Sequence, residues 1–297
     1  MPMPNFFIIG APKAGTSSLY EYVAQHPDVY MSPVKEPAYF KPRADVAESD
    51  GDGAPAGTGL DEYLALFDGA TSEHVIGEAT ASYLQSVPAA ERLSDAAPGA
   101  RLVAVLRNPV DRAYSGYSMR VQQGSEDLTF VEAIDVELGR RPASPARRVG
   151  YLGPGWYGRH LSAYLARYPR EQVRVYLYED LRAPHDLLHD VFTFLDVDPA
   201  FHPTLEHHNV TRYPVKSTTV AAAVRRVPGK ALARRFVPAS TWASAKRALR
   251  RRNSVRPEFP PDLRRELIEL YRDDIALTEE LVGRDLSAWT SSGGRGG

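Results

Sequence analysis

Cysteine is absent from the 297-residue sequence. This excludes a disulfide framework, a thiolate nucleophile and a cysteine-ligated metal site. Long apolar runs are also lacking, since the opening MPMPNFFIIG has no positively charged start and only a few consecutive apolar residues. Such a start is too short for a signal peptide or a membrane span, so a cytoplasmic protein is expected. With 43% hydrophobic residues, the chain has enough apolar surface for the core of one domain.

Acidic residues are missing from one long interval. Between Glu206 and Glu258 there is no Asp or Glu, whereas the same interval carries 13 Lys and Arg. Removing these 13 charges from the net charge of -1 leaves -14 for the rest of the chain. This asymmetry favours an anionic partner, with a solvated basic face as the alternative. A basic helical segment is predicted over about 220–256. Its stretch WASAKRALRRR has an apolar stripe that leaves peripheral membrane contact open, whereas no motif supports nucleic-acid binding.

Short apolar runs alternate with segments of helical spacing along the chain. The runs predict strands at residues 5–10, 74–78, 101–107 and 172–178. Helices are predicted near residues 16–26, 60–67, 109–121, 130–138, 158–168, 186–195 and 261–282. This alternation predicts an α/β fold with three α/β/α layers around a central, mainly parallel sheet. We expect a single domain over residues 1–290, with a mobile loop at about 43–59 and a disordered tail at 291–297.

The first predicted strand ends in a glycine-bracketed turn, GAPKAGTSS. Gly10 and Gly15 keep the spacing of the phosphate-binding loop G-x-x-x-x-G-K-[ST], but the lysine has moved inside the loop, to Lys13. The hydroxyl residues that follow are Thr16, Ser17 and Ser18. A helix that begins directly after a strand offers unpaired amides and the positive end of its dipole, so this turn can cradle a phosphate. The alternative is an ordinary turn with hydroxyl capping.

Two absences argue against an ATP-dependent enzyme. Position 16 lacks the lysine that reaches the β and γ phosphates, and the strand RLVAVLR ends in Arg107 where a magnesium-binding aspartate would stand. An arginine at the carboxyl end of a parallel strand points into the usual ligand crevice, where it can fork onto a phosphate. The phosphate donor is therefore expected to be held by cations and hydroxyls. A small-molecule kinase with an altered loop remains the alternative.

Three segments occur together and in order: GAPKAGTSSLYEYVAQHP, KEPAYF and LRNPVDRAYSGY. With them the chain resembles the sulfotransferases that use 3′-phosphoadenosine 5′-phosphosulfate (PAPS), particularly the bacterial and heparan-sulfate-type branches. Weaker similarity in GEATASYL, YLYEDL, FLDVD and LVGRDLSAW extends over nearly the whole chain. The resemblance implies a P-loop-like fold and transfer of a sulfuryl group from PAPS to a hydroxyl or amine of a small-molecule, glycan or lipid acceptor. It also implies PAP as the product and no metal. A non-catalytic nucleotide-binding member of the fold is a further alternative.

The resemblance also implies which residues bind the donor. The 5′-phosphosulfate would lie on the first turn, formed by Pro12, Lys13, Ala14, Gly15, Thr16, Ser17 and Ser18. Lys13 would touch the bridging oxygen and stabilise the charge of the leaving phosphate. Arg107 and Ser115 would bind the 3′-phosphate, and Lys216 is the best further candidate, within the acid-free interval between Glu206 and Glu258. Taken singly, Arg107 could instead form a structural ion pair, and Ser115 could be an exposed helix serine.

On the acceptor side, the heparan-sulfate-type relatives use a glutamate base that matches Glu36 of KEPAYF. The alternative is a salt bridge between Glu36 and Lys35. Glu78 is a second candidate base, although a carboxylate at a strand end often caps the next turn. Ala79 stands where those relatives carry a lysine, which weakens the case for heparan sulfate as the acceptor. No histidine falls where the aryl and steroid enzymes place their base.

The motif GYLGPGWYGRHL contains two aromatic residues and a histidine. Trp156 and Tyr157 could stack on an acceptor ring or fix a helix to the core. His160 is expected to be structural. Three further histidines cluster at His202, His207 and His208. Because no carboxylate is placed to complete a zinc site, no metal is proposed.

Overall fold

Five parallel strands form one sheet in the computed structural model, which describes residues 3–42, 59–123, 125–142, 150–205 and 259–291. The strands are β1 (Phe6–Gly10), β2 (Val29–Met31), β3 (Val75–Ala79), β4 (Arg101–Leu106) and β5 (Val173–Leu177). Their order across the sheet is β2-β3-β1-β4-β5. All five residues of β1 are buried, as expected for a central strand covered on both faces. The predicted α/β class and parallel sheet are confirmed.

Nine α-helices lie in the described residues: α1 (Thr16–Val23), α2 (Leu60–Ala65), α3 (Val87–Ala96), α4 (Pro109–Gln123), α5 (Phe130–Glu137), α6 (Tyr157–Leu165), α7 (Pro184–Leu195), α8 (Pro261–Val282) and α9 (Ser287–Thr290). Short 3₁₀ turns occupy Gly153–Gly155, Arg170–Gln172 and Tyr178–Arg182. Local capping explains several of the helix boundaries. The Ser86 hydroxyl accepts the Ala89 amide at the start of α3, and Thr129 and Glu132 cap α5 reciprocally.

The order of the strands fixes the position of the ligand crevice. The chain leaves β1 for the edge strand β2, returns to β3 beside β1, and then crosses to β4 on the opposite side of β1. The carboxyl ends of β1 and β4 therefore meet at a reversal of strand order. This is where open α/β sheets bind ligands, so the turn after β1 and Arg107 after β4 lie at the same crevice.

Several predicted segments fall outside the described residues. They are residues 43–58 of the predicted mobile loop, the basic helical segment at about 220–256, and residues 292–297 of the predicted tail. Lys216, His207 and His208 also lie outside the described residues. No helix in the part of the chain that the structure describes is both long and apolar enough to cross a membrane.

Candidate functional site

The turn between β1 and α1 is shaped by residues in the left-handed backbone region. Lys13 has φ 69° and Gly15 has φ 96°, a conformation that glycine adopts without steric cost. A Cβ on Gly15 would contact the end of the Leu181 side chain, which would have to shift. The positive φ is therefore the main reason that this position needs glycine. Gly15 is the N-cap of α1, and it has no side-chain oxygen to satisfy the first-turn amides. That end of α1 is therefore suited to an anion.

Cationic side chains converge on this turn. Arg107 Nη1 donates a hydrogen bond to the Lys13 carbonyl at 3.3 Å, and the Arg107 guanidinium lies 4.5 Å from the centre of the Tyr178 ring. Burial, followed by the charges of Arg107 and Lys35, lowers the pKa of Lys13. Arg107 forms no salt bridge with any carboxylate of the described residues. This argues against the alternative that Arg107 belongs to a structural ion pair. Its guanidinium is thus held beside the turn without a neutralising carboxylate from the described part of the chain.

Helix α4 brings Ser115 to the same region. Ser115 is buried, so it is not the exposed helix serine considered from sequence. It lies one turn before Met119, on the same face of α4. Lys13 Nζ lies 3.3 Å from Met119 Sδ. The structure therefore brings together the first turn, Arg107 and the Ser115 face of α4, as the sequence predicts.

Glu36 lies across the crevice on the segment that follows β2. Its Oε2 accepts the Ala81 amide at 3.0 Å, while its Oε1 lies 3.7 Å from Lys35 Nζ, with a quarter of the Glu36 side chain exposed. Burial raises the pKa of Glu36, and the charge of Lys35 opposes this rise. Lys35 Nζ also donates to Ser17 Oγ at 2.5 Å. The Lys35–Glu36 ion pair, which the sequence offered as the alternative to a catalytic role of Glu36, is present, and it connects the candidate base to the start of α1.

Glu78, the second candidate base, is completely buried. Its Oε1 accepts hydrogen bonds from the hydroxyls of Tyr63 and Tyr83, each at 2.9 Å. Its Oε2 accepts the Thr80 hydroxyl at 2.6 Å. Burial raises the pKa of Glu78 to about 7. Because three hydroxyls surround it, the carboxylate is closed to an acceptor, and it binds side-chain hydroxyls instead of capping the next turn.

The aromatic residues of the glycine-rich motif serve the core. Tyr157 is buried and its ring lies 6.0 Å from that of Trp289. The Trp156 ring lies 4.8 Å from that of Tyr271. These contacts favour the role of fixing a helix to the core over the role of stacking on an acceptor ring. Burial lowers the pKa of His160 to about 4, which makes its imidazole neutral at physiological pH.

Two other histidines come together elsewhere. The ring of His202 lies 5.4 Å from that of His185. Across the described ranges, no group of three or more His, Asp and Glu side chains is arranged to hold a metal ion. The structure therefore offers no histidine-based centre beside the crevice in its described part.

Sequence reasoning missed two contributors to the site. Lys35 was considered only as a partner of Glu36, yet it also contacts Ser17. Tyr178 packs under the Arg107 guanidinium, although it was read only as the end of a strand. Its position at the carboxyl end of β5 was the available signal, because that strand end lies at the ligand edge of a parallel sheet.

Known proteins are similar to this chain in sequence and in fold. A family model for the sulfotransferase domain matches residues 3–272. The chain is similar to the crystal structure of a sulfotransferase from Alicyclobacillus acidocaldarius, with 32% identity, a TM-score of 0.70, and coverage of 98% of this chain and 100% of that chain.

Curated relatives include bifunctional heparan sulfate N-deacetylase/N-sulfotransferases. The Drosophila melanogaster protein is 28% identical over 264 residues, which cover 82% of this chain and 24% of the relative. The human protein numbered 1 is 27% identical over 306 residues, which cover 96% of this chain and 30% of the relative. The chain thus spans less than a third of the length of these two relatives. Since the family model covers most of the chain, the resemblance inferred from the three motifs is confirmed: the chain belongs to the sulfotransferase domain family, whose members take the sulfuryl group from PAPS.

Proposed function

We propose that this protein transfers the sulfuryl group of PAPS to a hydroxyl or amine of a small-molecule, glycan or lipid acceptor, with Glu36 as the general base. The observation that carries this proposal is the convergence of Lys13, Arg107 and Lys35 on the start of α1. Together, these cations, the helix amides and the hydroxyls supply the positive charge and the hydrogen-bond donors that a doubly phosphorylated nucleotide needs. In this account Arg107 and Ser115 hold the 3′-phosphate, and residues 12–18 hold the 5′ end.

Lys13 has the position to assist departure of the leaving group. Transfer of a sulfuryl group resembles phosphoryl transfer, in which the attacking and leaving oxygens lie roughly in line and the leaving phosphate gains negative charge. A cation that interacts most strongly with that developing charge lowers the barrier. The lowered pKa of Lys13 reflects a cationic, buried surrounding that an incoming anion would neutralise. Donor binding is therefore expected to raise the pKa of Lys13 again.

Glu36 has the position to accept the acceptor's proton. The lone pair of the acceptor oxygen or nitrogen forms the new bond to sulfur while the bond from sulfur to the bridging oxygen breaks, and its electron pair stays on the 5′-phosphate. The acceptor proton then goes to Oε1 of Glu36, because Oε2 is occupied by the Ala81 amide. The raised pKa of Glu36 makes it a stronger base than an ordinary glutamate.

Two observations bear on the chemical class of the acceptor. The names of the curated relatives refer to heparan sulfate N-sulfation, which favours an amine or hydroxyl on a glycan. Ala79 removes one cation from the acceptor side, which counts against a highly anionic glycan such as heparan sulfate itself. A less charged glycan is the acceptor that satisfies both observations.

The direct test is transfer from labelled PAPS to a panel of acceptors, with sulfated products identified by mass. The panel contains de-N-sulfated heparin oligosaccharides, the same oligosaccharides after N-acetylation, neutral amino sugars, phenols and lysophospholipids. The N-acetylated set is the matched control, because it differs only by the blocked amine. Labelled product supports the proposal and distinguishes N- from O-transfer. If PAP binds but no acceptor of the panel or of a metabolite extract is sulfated, the non-catalytic alternative replaces it.

A further inference from the structure

The segment that carries Glu36 is held in a strained conformation. Glu36 has φ 59° and Ala38 has φ 56°, and neither residue is glycine. Residues with side chains adopt this region at an energetic cost, and such strain persists only where surrounding contacts over-determine it. Specific contacts must therefore hold this segment in place.

Two of the contacts come from Glu36 itself. Its amide donates to the Ala79 carbonyl at 2.9 Å, and its Oε2 accepts the Ala81 amide at 3.0 Å. These bonds tie the candidate base to the chain directly after β3. They do not reach Ala38, whose strained backbone needs a support of its own.

Two side-chain hydroxyls supply that support. The Ala38 amide donates to Thr80 Oγ1 at 3.2 Å, and the Phe40 amide donates to the Tyr83 hydroxyl at 3.3 Å. Thr80 and Tyr83 are fully buried. Because little water competes at these positions, both hydrogen bonds hold the segment firmly.

In its ionised form, the Glu78 carboxylate sets the direction of both bonds. A hydroxyl has one proton to donate and lone pairs that accept. Thr80 gives its proton to Glu78 Oε2 at 2.6 Å, and Tyr83 gives its proton to Glu78 Oε1 at 2.9 Å. Each hydroxyl is then fixed as an acceptor for a backbone amide. Without this buried acceptor the hydroxyls would be free to rotate, and the orientation of both bonds would be lost.

We propose that Glu78 is a positioning residue, which fixes the Thr80 and Tyr83 hydroxyls as acceptors for the Ala38 and Phe40 amides and so holds Glu36 in its catalytic place. This inference rests on the proposed function of Glu36. It assigns a role to a carboxylate that contacts no substrate, and it explains why a buried acid stands at the end of β3 beside the acceptor side of the crevice.

A third hydroxyl that is bonded to Glu78 provides a control. Tyr63 of α2 also donates its hydroxyl to Glu78 Oε1, at 2.9 Å. Its hydroxyl has no hydrogen bond to the backbone of residues 36–40 among the described residues. Tyr63→Phe and Tyr83→Phe each remove one hydroxyl from one carboxylate oxygen, but only Tyr83→Phe removes a bond to the segment.

The experiment compares two matched pairs, Thr80→Val with Thr80→Ser and Tyr83→Phe with Tyr63→Phe. Hydrogen–deuterium exchange reports on the amides of residues 36–40, calorimetry measures PAP affinity, and labelled PAPS with de-N-sulfated heparin oligosaccharide or neutral amino sugar gives kcat and KM. Thr80→Val and Tyr83→Phe are expected to speed exchange of the segment and to lower kcat about tenfold, since small displacements of a catalytic group cost this much or more. PAP affinity should change by less than about twofold. Thr80→Ser should restore both exchange and kcat.

Three results would overturn the inference. The first is exchange in Thr80→Val and Tyr83→Phe at the wild-type rate, and the second is faster exchange with kcat unchanged. The third is an equal loss of kcat in Tyr63→Phe and Tyr83→Phe, because it would indicate a general packing effect. Failure of the wild-type protein to bind PAP would instead refute the proposed function, since the exchange measurements need no ligand.

Discussion

Replacing Arg107 with alanine should remove the selectivity of the donor site for a nucleotide with a 3′-phosphate. Arg107 is half-buried at the carboxyl end of β4, stacked on Tyr178 at 4.5 Å and bonded to the Lys13 carbonyl at 3.3 Å. A hydrogen bond to a charged group contributes about 1.5–3 kcal/mol. Its loss corresponds to a decrease of about 10- to 150-fold in PAP affinity.

The assay is calorimetric titration with PAP and with AMP, which lacks the 3′-phosphate. Arg107→Ala should weaken PAP binding by this factor and leave AMP binding nearly unchanged, so the ratio of the two affinities falls toward one. Arg107→Lys keeps the charge but loses the planar fork, so its PAP affinity should lie between those of the wild-type protein and Arg107→Ala.

Arg101 offers a matched control because it lies at the opposite end of the same strand. Its guanidinium donates to the Leu195 carbonyl at 2.6 Å, away from the ligand edge of the sheet. Arg101→Ala should bind PAP as the wild-type protein does. The reasoning would be refuted if Arg107→Ala weakened PAP and AMP equally, or if Arg101→Ala lost as much PAP affinity as Arg107→Ala.

Three further predictions concern the turn, Glu36 and Glu78. Gly15→Ala should lower the free energy of unfolding by about 1–2 kcal/mol in urea, because the positive φ at this position strains a residue that has a side chain. Gly99→Ala, with no atom within 4 Å of its Cβ, should change it little. Glu36→Gln should keep PAP affinity within about twofold and lower kcat by about 10²- to 10⁴-fold; near wild-type transfer would exclude Glu36 as the base. Burial raises the pKa of Glu78 from its ordinary 4.5 to about 7, so its contribution to stability is complete below pH 4.5 and is lost as the pH rises through 7. Relative to Glu78→Gln, the wild-type protein should therefore lose roughly 3 kcal/mol of stability between these pH values, and a difference that did not change with pH would contradict this.

Much of the fold was predictable because the central strands are continuous apolar runs. β1 and β4 coincide with such runs, which a strand buried on both faces needs. β3 and β5 are short segments rich in Val, Ile, Leu or Tyr, which also predict strands. β2 was missed because it has only three residues. α3 was missed although Ser86 and the proline in its first turn form a recognisable start. The order of the strands was not predictable, since periodicity says nothing about which strands pair.

The candidate site, too, was only partly predictable from the sequence. The glycine turn and Arg107 were predictable because they follow directly after strands, where a parallel sheet places its ligands. The surroundings of Glu78 were not predictable, because its hydroxyl partners come from α2 and from the chain after β3. The α2 partner, Tyr63, lies 15 residues before Glu78 in the sequence, so these two side chains meet only through the tertiary packing. The contact of Lys35 with Ser17 was hidden for the same reason.

The central claim is that the turn after β1 and Arg107 after β4 form a site for a nucleotide with a 3′-phosphate. The most direct test is calorimetric titration of the full chain with PAP and, separately, with ATP and Mg²⁺. The account predicts that PAP binds more tightly than ATP with Mg²⁺, and that Mg²⁺ does not strengthen PAP binding. Tighter binding of ATP with Mg²⁺ would contradict it and would favour the kinase alternative.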